Sequence, residues 1–542
     1  MNLEANKNED AMKMAWAGIR QKLEKIYEGG GKKSAEKQKE KNKMVARERI
    51  AYLCDEGKPF IEIGAFAGYE MYKEQGGCPA GGTVAGIGYI SGRQCIIVAN
   101  DQTVKAGAWF PITGKKNLRL QEIAMENHLP IIYIVDSAGV YLPMQDEIFP
   151  DKENFGRIFR NNARMSAMGI TQIAVVTGAC VAGGAYLPIM SDETMMVEGA
   201  GSIFLAGPYL VKAAVGEDID AETLGGAVTH TEISGIADYK FKTEQECFDK
   251  VKSIMSKLGE PAHAGFNRTQ PKMPALNNSE LFTIMSENNS KPYDMLQLIN
   301  CIADADSFDE FKADYGKTIV CGYARVDGWA VGIVANQRLI VKNKKGEMQM
   351  GGVIYNDSAD KAARFIMNCN QKKIPLLFLQ DVTGFMVGSR SEHAGIIKDG
   401  AKLVNAVANS VVPKITIIIG NSYGAGNYAM CGKAYDPRFI FAWPTAKIAV
   451  MGGEQAAKTM LQIQVAGMKA KGKEVSAEEE KEILTNITAN YTLQTKPEYA
   501  AARLWVDAII NPADTRLVIS EGIKAANQNT QMEEFKMGVF QV

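Results

Sequence analysis

The chain has 542 residues, 46% apolar and 23% charged, which excludes a wholly disordered or collagen-like polypeptide and, at this length, favours at least two domains. Lysine and arginine number 61 against 62 aspartate and glutamate, a formal charge of −1, so no global field draws the chain to nucleic acid or to a membrane surface. The nine cysteines are scattered without a C-x-x-C pair, which suits a reducing compartment and offers no disulfide framework or zinc ribbon.

Residues 11–27 carry the pattern of an amphipathic helix, and 28–50 are a glycine break followed by a strongly basic stretch, so 1–50 reads as an N-terminal helical and basic arm. The opening MNLEANKNED lacks the charged-then-apolar order of a secretory signal, and no apolar run approaches about 18 residues. A cytoplasmic location without a membrane or nucleic-acid partner is therefore expected. From about residue 85 onward, β-branched runs ending in Gly or Asp alternate with helical text: CIIVAND (95–101), IIYIVDSAG (131–139), QIAVVTGA (172–179), SIFLAG (202–207). That alternation predicts an α/β fold with partly parallel sheet. The text at 257–295 turns rich in Pro, Asn and Gly, which places a linker at 269–295 between domains at 20–268 and 296–535.

After the linker the first half is written again, in the same order, at an offset of about 240 residues. IVAND (97–101) returns as IVANQ (333–337), and LPIIYIVDSAGV (129–140) as IPLLFLQDVTGF (374–385), matching Asp136 to Asp381 and Gly139 to Gly384. ITQIAVVTGACVAGGAY (170–186) aligns with VPKITIIIGNSYGAGNY (412–428), which sets Gly178 on Gly420, Gly183 and Gly184 on Ala425 and Gly426, and Tyr186 on Tyr428. SIFLAG and KIAVMG make a fourth pair. Four matches in one order predict an internal duplication and two similar domains.

The four histidines (128, 230, 263, 393) are far apart in sequence, and no HExxH, Walker A or G-x-S-x-G signature is present, so no metal site is expected. Cys180 lies in Gly/Ala-rich apolar text and reads as a packed thiol, not a nucleophile. The duplicated glycine segments are different. An apolar strand ending in A-G-G-A-Y or G-A-G-N-Y brings bare backbone to its C-terminal edge, and a helix starting there leaves its first N–H groups without intrahelical partners. Such amides can hold the negative oxygen that develops when a thioester carbonyl becomes an enolate. Gly183 with Gly184, and Ala425 with Gly426, are the natural donor pairs, beside loops from the strands ending in DSAG and DVTG. One such turn is usually tight packing; two at equivalent places point to two related anion sites.

Longer strings carry a resemblance: RERIAYLCDEGKPFIEIG, DEIFPDKENFGRIFRNNARMSAMGI, GACVAGGAYLPIMSDE, IFLAGPYLVKAAVGE, LGGAVTH, QDVTGFMVG, KDGAKLVNAVA, GNSYGAGNYAMCGKAYDPRF and VMGGEQAA. Over roughly residues 20–520 the chain resembles the carboxyltransferase (β) subunit of biotin-dependent acyl-CoA carboxylases. FGRIF, AGGAYLPIM, GAGNYAMCG and MGGEQAA are most similar to the 3-methylcrotonyl-CoA branch. The resemblance implies two tandem crotonase-like (ClpP/crotonase) β-β-α superhelix domains. It also implies transfer of CO2 from carboxybiotin, carried on a separate biotin carboxylase/biotin-carrier α subunit, to the enolate of a short acyl-CoA. The biotin ureido anion left when CO2 departs would take the proton from the acyl-CoA, so no side-chain base is required. The N-terminal amides would hold the thioester oxygen and the C-terminal ones the ureido oxygen.

Propionyl-CoA-type relatives carry an acid where Tyr428 stands, which favours a branched or unsaturated acyl group. Propionyl-CoA carboxylation and the transferase step of glutaconyl-CoA decarboxylation are the alternatives, the latter because NKKGEMQMGG (343–352) is longer than in methylcrotonyl-type relatives. A noncatalytic scaffold is the reading from another class. By the same resemblance, Arg47 and Arg49 would meet the CoA phosphates, and Ser137, Ala138, Gly139, Ala182, Thr383, Gly384, Phe385, Gly424 and Tyr428 would line the acyl-CoA and biotin sites. The basic stretch at 32–43 is equally read as a solvated helix. A homohexameric core is implied. Ala11-Met12-Lys13-Met14 spells the tetrapeptide around a biotinylated lysine, but ten preceding residues cannot build a carrier domain, so biotin must arrive on another chain. The hydrophilic stretch 466–483 is expected to be a solvated helix.

Overall fold

The computed structural model describes residues 3–286, 291–344 and 346–542, so parts of the expected linker (287–290) and of the 343–352 stretch (345) lie outside the described residues. Two compact units are present: one is Gln21–Ala262 with Ala501–Leu504, the other Met1–Arg20, His263–Ala500 and Trp505–Val542. The N-terminal helix is longer than its amphipathic core suggested, running Leu3–Tyr27, with Met12, Ile19 and Ile26 buried at seven-residue steps. Among the described residues no helix is long and apolar enough to cross a membrane.

The first unit is built on β1 (Ile61–Glu62), β2 (Thr83–Ile90), β3 (Arg93–Asn100), β4 (Ile131–Ser137), β5 (Gln172–Val181), β6 (Glu193–Val197), β7 (Ser202–Phe204) and β8 (Tyr239–Phe241). They form one sheet in the order β1-β2-β3-β4-β5-β6-β8, with β7 beside the end of β5. β2 and β3 are an antiparallel pair and the strands from β3 to β8 run parallel. Strands in parallel sheet are covered on both faces, which is why β4 and β5 read as nearly unbroken apolar runs. Ile132, Ile134, Ile173 and Val175 are buried together there.

The second unit repeats this plan with β9 (Asp309–Glu310), β10 (Ile319–Val326), β11 (Trp329–Asn336), β12 (Val341–Lys342), β13 (Met348–Gln349), β14 (Val353–Ile354), β15 (Leu376–Val382), β16 (Gly384–Phe385), β17 (Lys414–Tyr423), β18 (Phe439–Ala442), β19 (Lys447–Ala449) and β20 (Ala508–Ile509). Its main sheet is ordered β9-β10-β11-β15-β17-β18-β20, with β19 beside the end of β17. Each strand answers one in the first sheet. The additions are β12 paired with β13, which forms a hairpin from the extended 343–352 stretch, and β14 paired with β16. The crotonase-like fold expected from the resemblance is therefore present twice.

The duplication reaches details that the strand matches did not include. Helices Pro111–Asn127 and Asn356–Gln371 start alike: the Phe110 amide donates to Thr113 Oγ1 (3.0 Å) and the Tyr355 amide to Ser358 Oγ (2.9 Å). Both carry a fully buried lysine one turn later, Lys116 and Lys361. Their surroundings differ. The Lys116 ammonium donates to the carbonyls of Gly64 (3.0 Å), Ala80 (2.9 Å) and Thr83 (2.5 Å), while burial draws its pKa down to about 7. Lys361 Nζ has no hydrogen bond, its carboxylate neighbour Glu310 being 4.0 Å away. Equivalent substitutions should thus have opposite outcomes. Lys116→Met strands three buried carbonyls at about 1–3 kcal/mol each. Lys361→Met replaces an unsatisfied buried cation by a chain of similar shape and should be neutral or stabilising. Denaturant unfolding of the two variants measures the contrast; equal losses would contradict it.

The stretch 466–483 is not one helix. Helix Gly453–Ala470 ends there, and Ser476 caps a second, Ala477–Thr495, its Oγ accepting the Glu479 amide at 3.2 Å. Gly472, with φ of 77°, makes the turn of this helical hairpin.

Candidate active site

The two central strands of each sheet slip in register near their C-terminal ends, between Val135 and Ser137 in one unit and between Gln380 and Val382 in the other. A buried aspartate sits in each slip. The Asp136 amide donates to Asn100 Oδ1 (3.4 Å) and the Asp381 amide to Asn336 Oδ1 (3.1 Å). Opposite them stand Gly178 and Gly420, where any Cβ would collide with the carboxylate. The matched glycines are thus explained by close approach of the two aspartates. Lys43 (2.6 Å) and Arg49 (3.2 Å) neutralise Asp136. Asp381 accepts from the Asn421 amide (2.8 Å) and the Tyr293 hydroxyl (2.9 Å) and lies 3.3 Å from Arg338 Nε, while burial raises its pKa.

Immediately beyond, both chains turn through the left-handed region, Ala182 at φ of 56° and Gly424 at 54°, and a short helix begins. In the second unit that helix is Ala425–Ala429, so Ala425 and Gly426 are its first two residues and have no intrahelical acceptor. Asn427 is the first amide to bond back, to the Gly424 carbonyl at 3.1 Å. In the first unit the winding starts one residue earlier, as a 3-10 turn over Ala182–Ala185. Gly183 then precedes the first intrahelical bond, whereas an i→i−3 turn offers the Gly184 amide the Val181 carbonyl. Of the expected Gly183 and Gly184 pair, Gly183 is thus the amide left without an intrahelical acceptor. A Cβ on Gly183 or Gly184 would meet nothing within 4 Å, whereas one on Gly426 would lie 2.6 Å from Val382 Cγ2.

The loops expected beside the turns are held by their own backbone. Ala138 donates to the Ala106 carbonyl (3.0 Å), and the Gly139 amide to Ser137 Oγ (3.1 Å), which itself donates to the Gly107 carbonyl (2.7 Å). In the second unit the Thr383 amide donates to the Gly352 carbonyl (2.8 Å), and Gly384 and Phe385 form β16. The Ala138, Gly139 and Thr383 amides are thus already occupied. Tyr186 and Tyr428, matched in the repeat, are both half-exposed and lie beside aromatic rings, Phe159 at 5.7 Å and Tyr435 at 5.8 Å. A cavity of about 770 Å³ opens on the second turn, lined by Gly424, Ala425, Asn427, Tyr428, Val450 and Tyr491 among others.

Of the two arginines, Arg49 is placed otherwise than a phosphate contact requires. Arg49 is 1% exposed and forked onto Glu244, with Nη2 to Oε1 at 2.7 Å and Nε to Oε2 at 3.0 Å. With Asp136 on its other side it has no face left for a ligand. Arg47 is forked onto Glu62 (2.8 and 2.9 Å) and stacks on Tyr27 at 3.8 Å. Lys43, Glu244 and the bracing role of Asp136 and Asp381 were missed by sequence reasoning; the only signal was the repeated DSAG/DVTG match. Cys180 donates its thiol to the Gly184 carbonyl (3.2 Å), and burial pushes its pKa far up, so it steadies the turn as an inert group. Its repeat partner Ser422 donates to Gln380 (2.7 Å) and accepts from Asn427 (2.8 Å). His230 is a buried structural ring, its Nε2 2.6 Å from the Ile203 carbonyl. Among the described residues no group of His, Cys, Asp and Glu could hold a metal ion.

The profile of the family described as "Carboxyl transferase domain" matches residues 37–538. The chain is 46% identical over 556 residues to a probable mitochondrial methylcrotonoyl-CoA carboxylase beta chain of Drosophila melanogaster, covering 99% of this chain and 93% of that protein. It is 46% identical to a biotin-dependent 3-methylcrotonyl-coenzyme A carboxylase beta1 subunit of Mycobacterium tuberculosis, covering 97% and 96%. Among solved structures, the beta subunit of geranyl-CoA carboxylase from P. aeruginosa superposes with a TM-score of 0.85 at 37% identity, covering 100% of this chain and 99% of that one.

Proposed function

The chain belongs to the carboxyl transferase family and is the carboxyltransferase component of a biotin-dependent acyl-CoA carboxylase; from that premise we propose that its acyl substrate is 3-methylcrotonyl-CoA. The observation that carries the reading is the near-complete, 46–48% likeness to methylcrotonoyl-CoA carboxylase beta chains, with both glycine turns intact. In this reading the Gly183 amide holds the thioester oxygen as it gains charge, and the Ala425 and Gly426 amides hold the ureido oxygen of biotin. Biotin, borne on a separate α subunit, supplies the carboxyl group. The open space over Gly183 and the cavity over Ala425 suit flat groups pressed against backbone. Fixed amides need no reorganisation as charge develops, and each such donor is worth about 10²–10³ in rate. The rigid bracing by Asp136 and Asp381 keeps them aimed. No ionisable side chain has to titrate for this chemistry, which accounts for a site without histidine.

The purified complex of this chain with its biotin-bearing partner, supplied with bicarbonate and ATP, should carboxylate 3-methylcrotonyl-CoA with a higher kcat/KM than propionyl-CoA or geranyl-CoA. A preference for either competitor would reject the substrate assignment. ATP-independent carboxyl transfer coupled to a membrane decarboxylase would support the glutaconyl-CoA reading. The core is further proposed to hold six copies of this chain, which light scattering on the eluted protein measures; a stable monomer would refute it.

A further inference from the structure

The second glycine turn is tied both to Ala449, the last residue of β19 that the sheet holds, and to the residues just beyond it, which the sheet does not hold. β19 ends at Ala449 and the next helix starts at Gly453. Between them the chain crosses the cavity at Val450. This segment nevertheless sets the turn. The Ala449 carbonyl accepts the Gly424 amide at 3.0 Å, and the Val450 carbonyl lies 3.0 Å from the point where a side chain on Gly424 would begin. Gly424 is the residue from which the Ala425 and Gly426 amides depart. A shift at 449–451 would therefore re-aim both donors.

The anchor comes from the far helix of the hairpin. Tyr491, on Ala477–Thr495, donates its hydroxyl to the Met451 carbonyl (2.7 Å) and accepts the Met451 amide (3.3 Å), so one phenol satisfies both backbone polar groups of one residue. Its ring lines the cavity and packs against Gly453, whose Cβ position lies 3.6 Å from Tyr491 Cδ1. Most of the hairpin is otherwise exposed, including Ile463 and Leu493.

We infer that Tyr491 is a positioning residue for carboxyl transfer: through its paired hydrogen bonds to Met451 it holds Val450 against Gly424 and fixes the aim of the Ala425 and Gly426 amides. This rests on the proposed role of those amides, and the test separates the two. Tyr491→Phe keeps the ring and removes only the hydroxyl, so the fold should survive. Ala425→Pro removes one donor outright at the first helical position, where proline is tolerated.

Both variants are made in the complete complex with the biotin-bearing partner. Tyr491→Phe is expected to lower kcat by about 10- to 100-fold, the scale of a small misplacement of catalytic groups, with KM for the acyl-CoA unchanged. Hydrogen exchange should quicken at the Gly424 amide, which is bonded to the Ala449 carbonyl, with the first unit unaffected. Ala425→Pro is expected to cost about 10²–10³ in kcat. If Ala425→Pro is inactive while Tyr491→Phe keeps its full kcat, the positioning role is overturned and the amide role stands. If Tyr491→Phe is slow but exchange at Gly424 is unchanged, the hydroxyl acts on ligand directly and the inference is likewise overturned. Full activity of Ala425→Pro would overturn both.

Discussion

Gly183→Val should lower carboxylation by about 10²–10³-fold while leaving the melting temperature of the chain nearly unchanged, a separation that few glycine positions permit. Most glycines in these units are tightly packed or left-handed: Gly178 and Gly420 face carboxylates, Gly424 has φ of 54°, and Gly426 abuts Val382. Substitution there would mix misfolding with lost catalysis. Gly183 is different, because its backbone is in an ordinary region and the position of its missing side chain is empty to 4 Å. In a short helical turn, valine for glycine carries no penalty in intrinsic propensity. On the proposed reading the emptiness is space left for substrate, and valine would fill it, holding the thioester oxygen away from the amide. Steady-state assay beside a thermal melt reads both quantities. Wild-type carboxylation would remove the first turn from the mechanism; a steep loss of stability would mean the space belongs to packing.

Arg49→Met is expected to have the reverse signature, a loss of about 3–5 kcal/mol in stability with no specific loss of acyl-CoA affinity. The guanidinium forks onto Glu244 and touches Asp136, all three groups nearly inaccessible to water. Removing it leaves Glu244 with no partner of its strength and Asp136 with Lys43 alone. Because Asp136 sits at the strand slip beneath the first glycine turn, damage should spread toward the site through geometry. Chemical denaturation measures the stability, and the KM for acyl-CoA of the residual folded enzyme tests the phosphate role implied by family resemblance. A rise in KM at undiminished stability would restore that role. Arg47, forked onto Glu62 yet partly exposed, is the better candidate of the two for meeting a phosphate.

Much of this molecule was legible before any coordinates. The duplicated text is a local property: an apolar run of the right length makes a parallel strand, a terminal glycine makes the turn, and repetition in order makes two domains of one design. The left-handed turn shared by Ala182 and Gly424 falls at one place in that alignment but was not read from it, since alanine there conceals what glycine announces.

Sequence could not say which charge meets which, because partners in a buried ion pair are chosen where strands and helices converge. Arg49 finds Glu244 across 195 residues and Asp136 across 87, and no pattern in the basic arm distinguishes it from its solvated neighbours. Lys116 and Lys361 occupy one position in the repeat, and only the packing around each decides that the first is fully satisfied and the second is not. The hydroxyl of Tyr491 reaching Met451, 40 residues away, is of the same kind. The chain by itself determined its strands, its turns and their duplication, since these depend on residues adjacent in sequence. Tertiary structure alone decided which polar groups brace the amides, since burial makes an unpaired charge costly and only the folded chain shows what lies within reach.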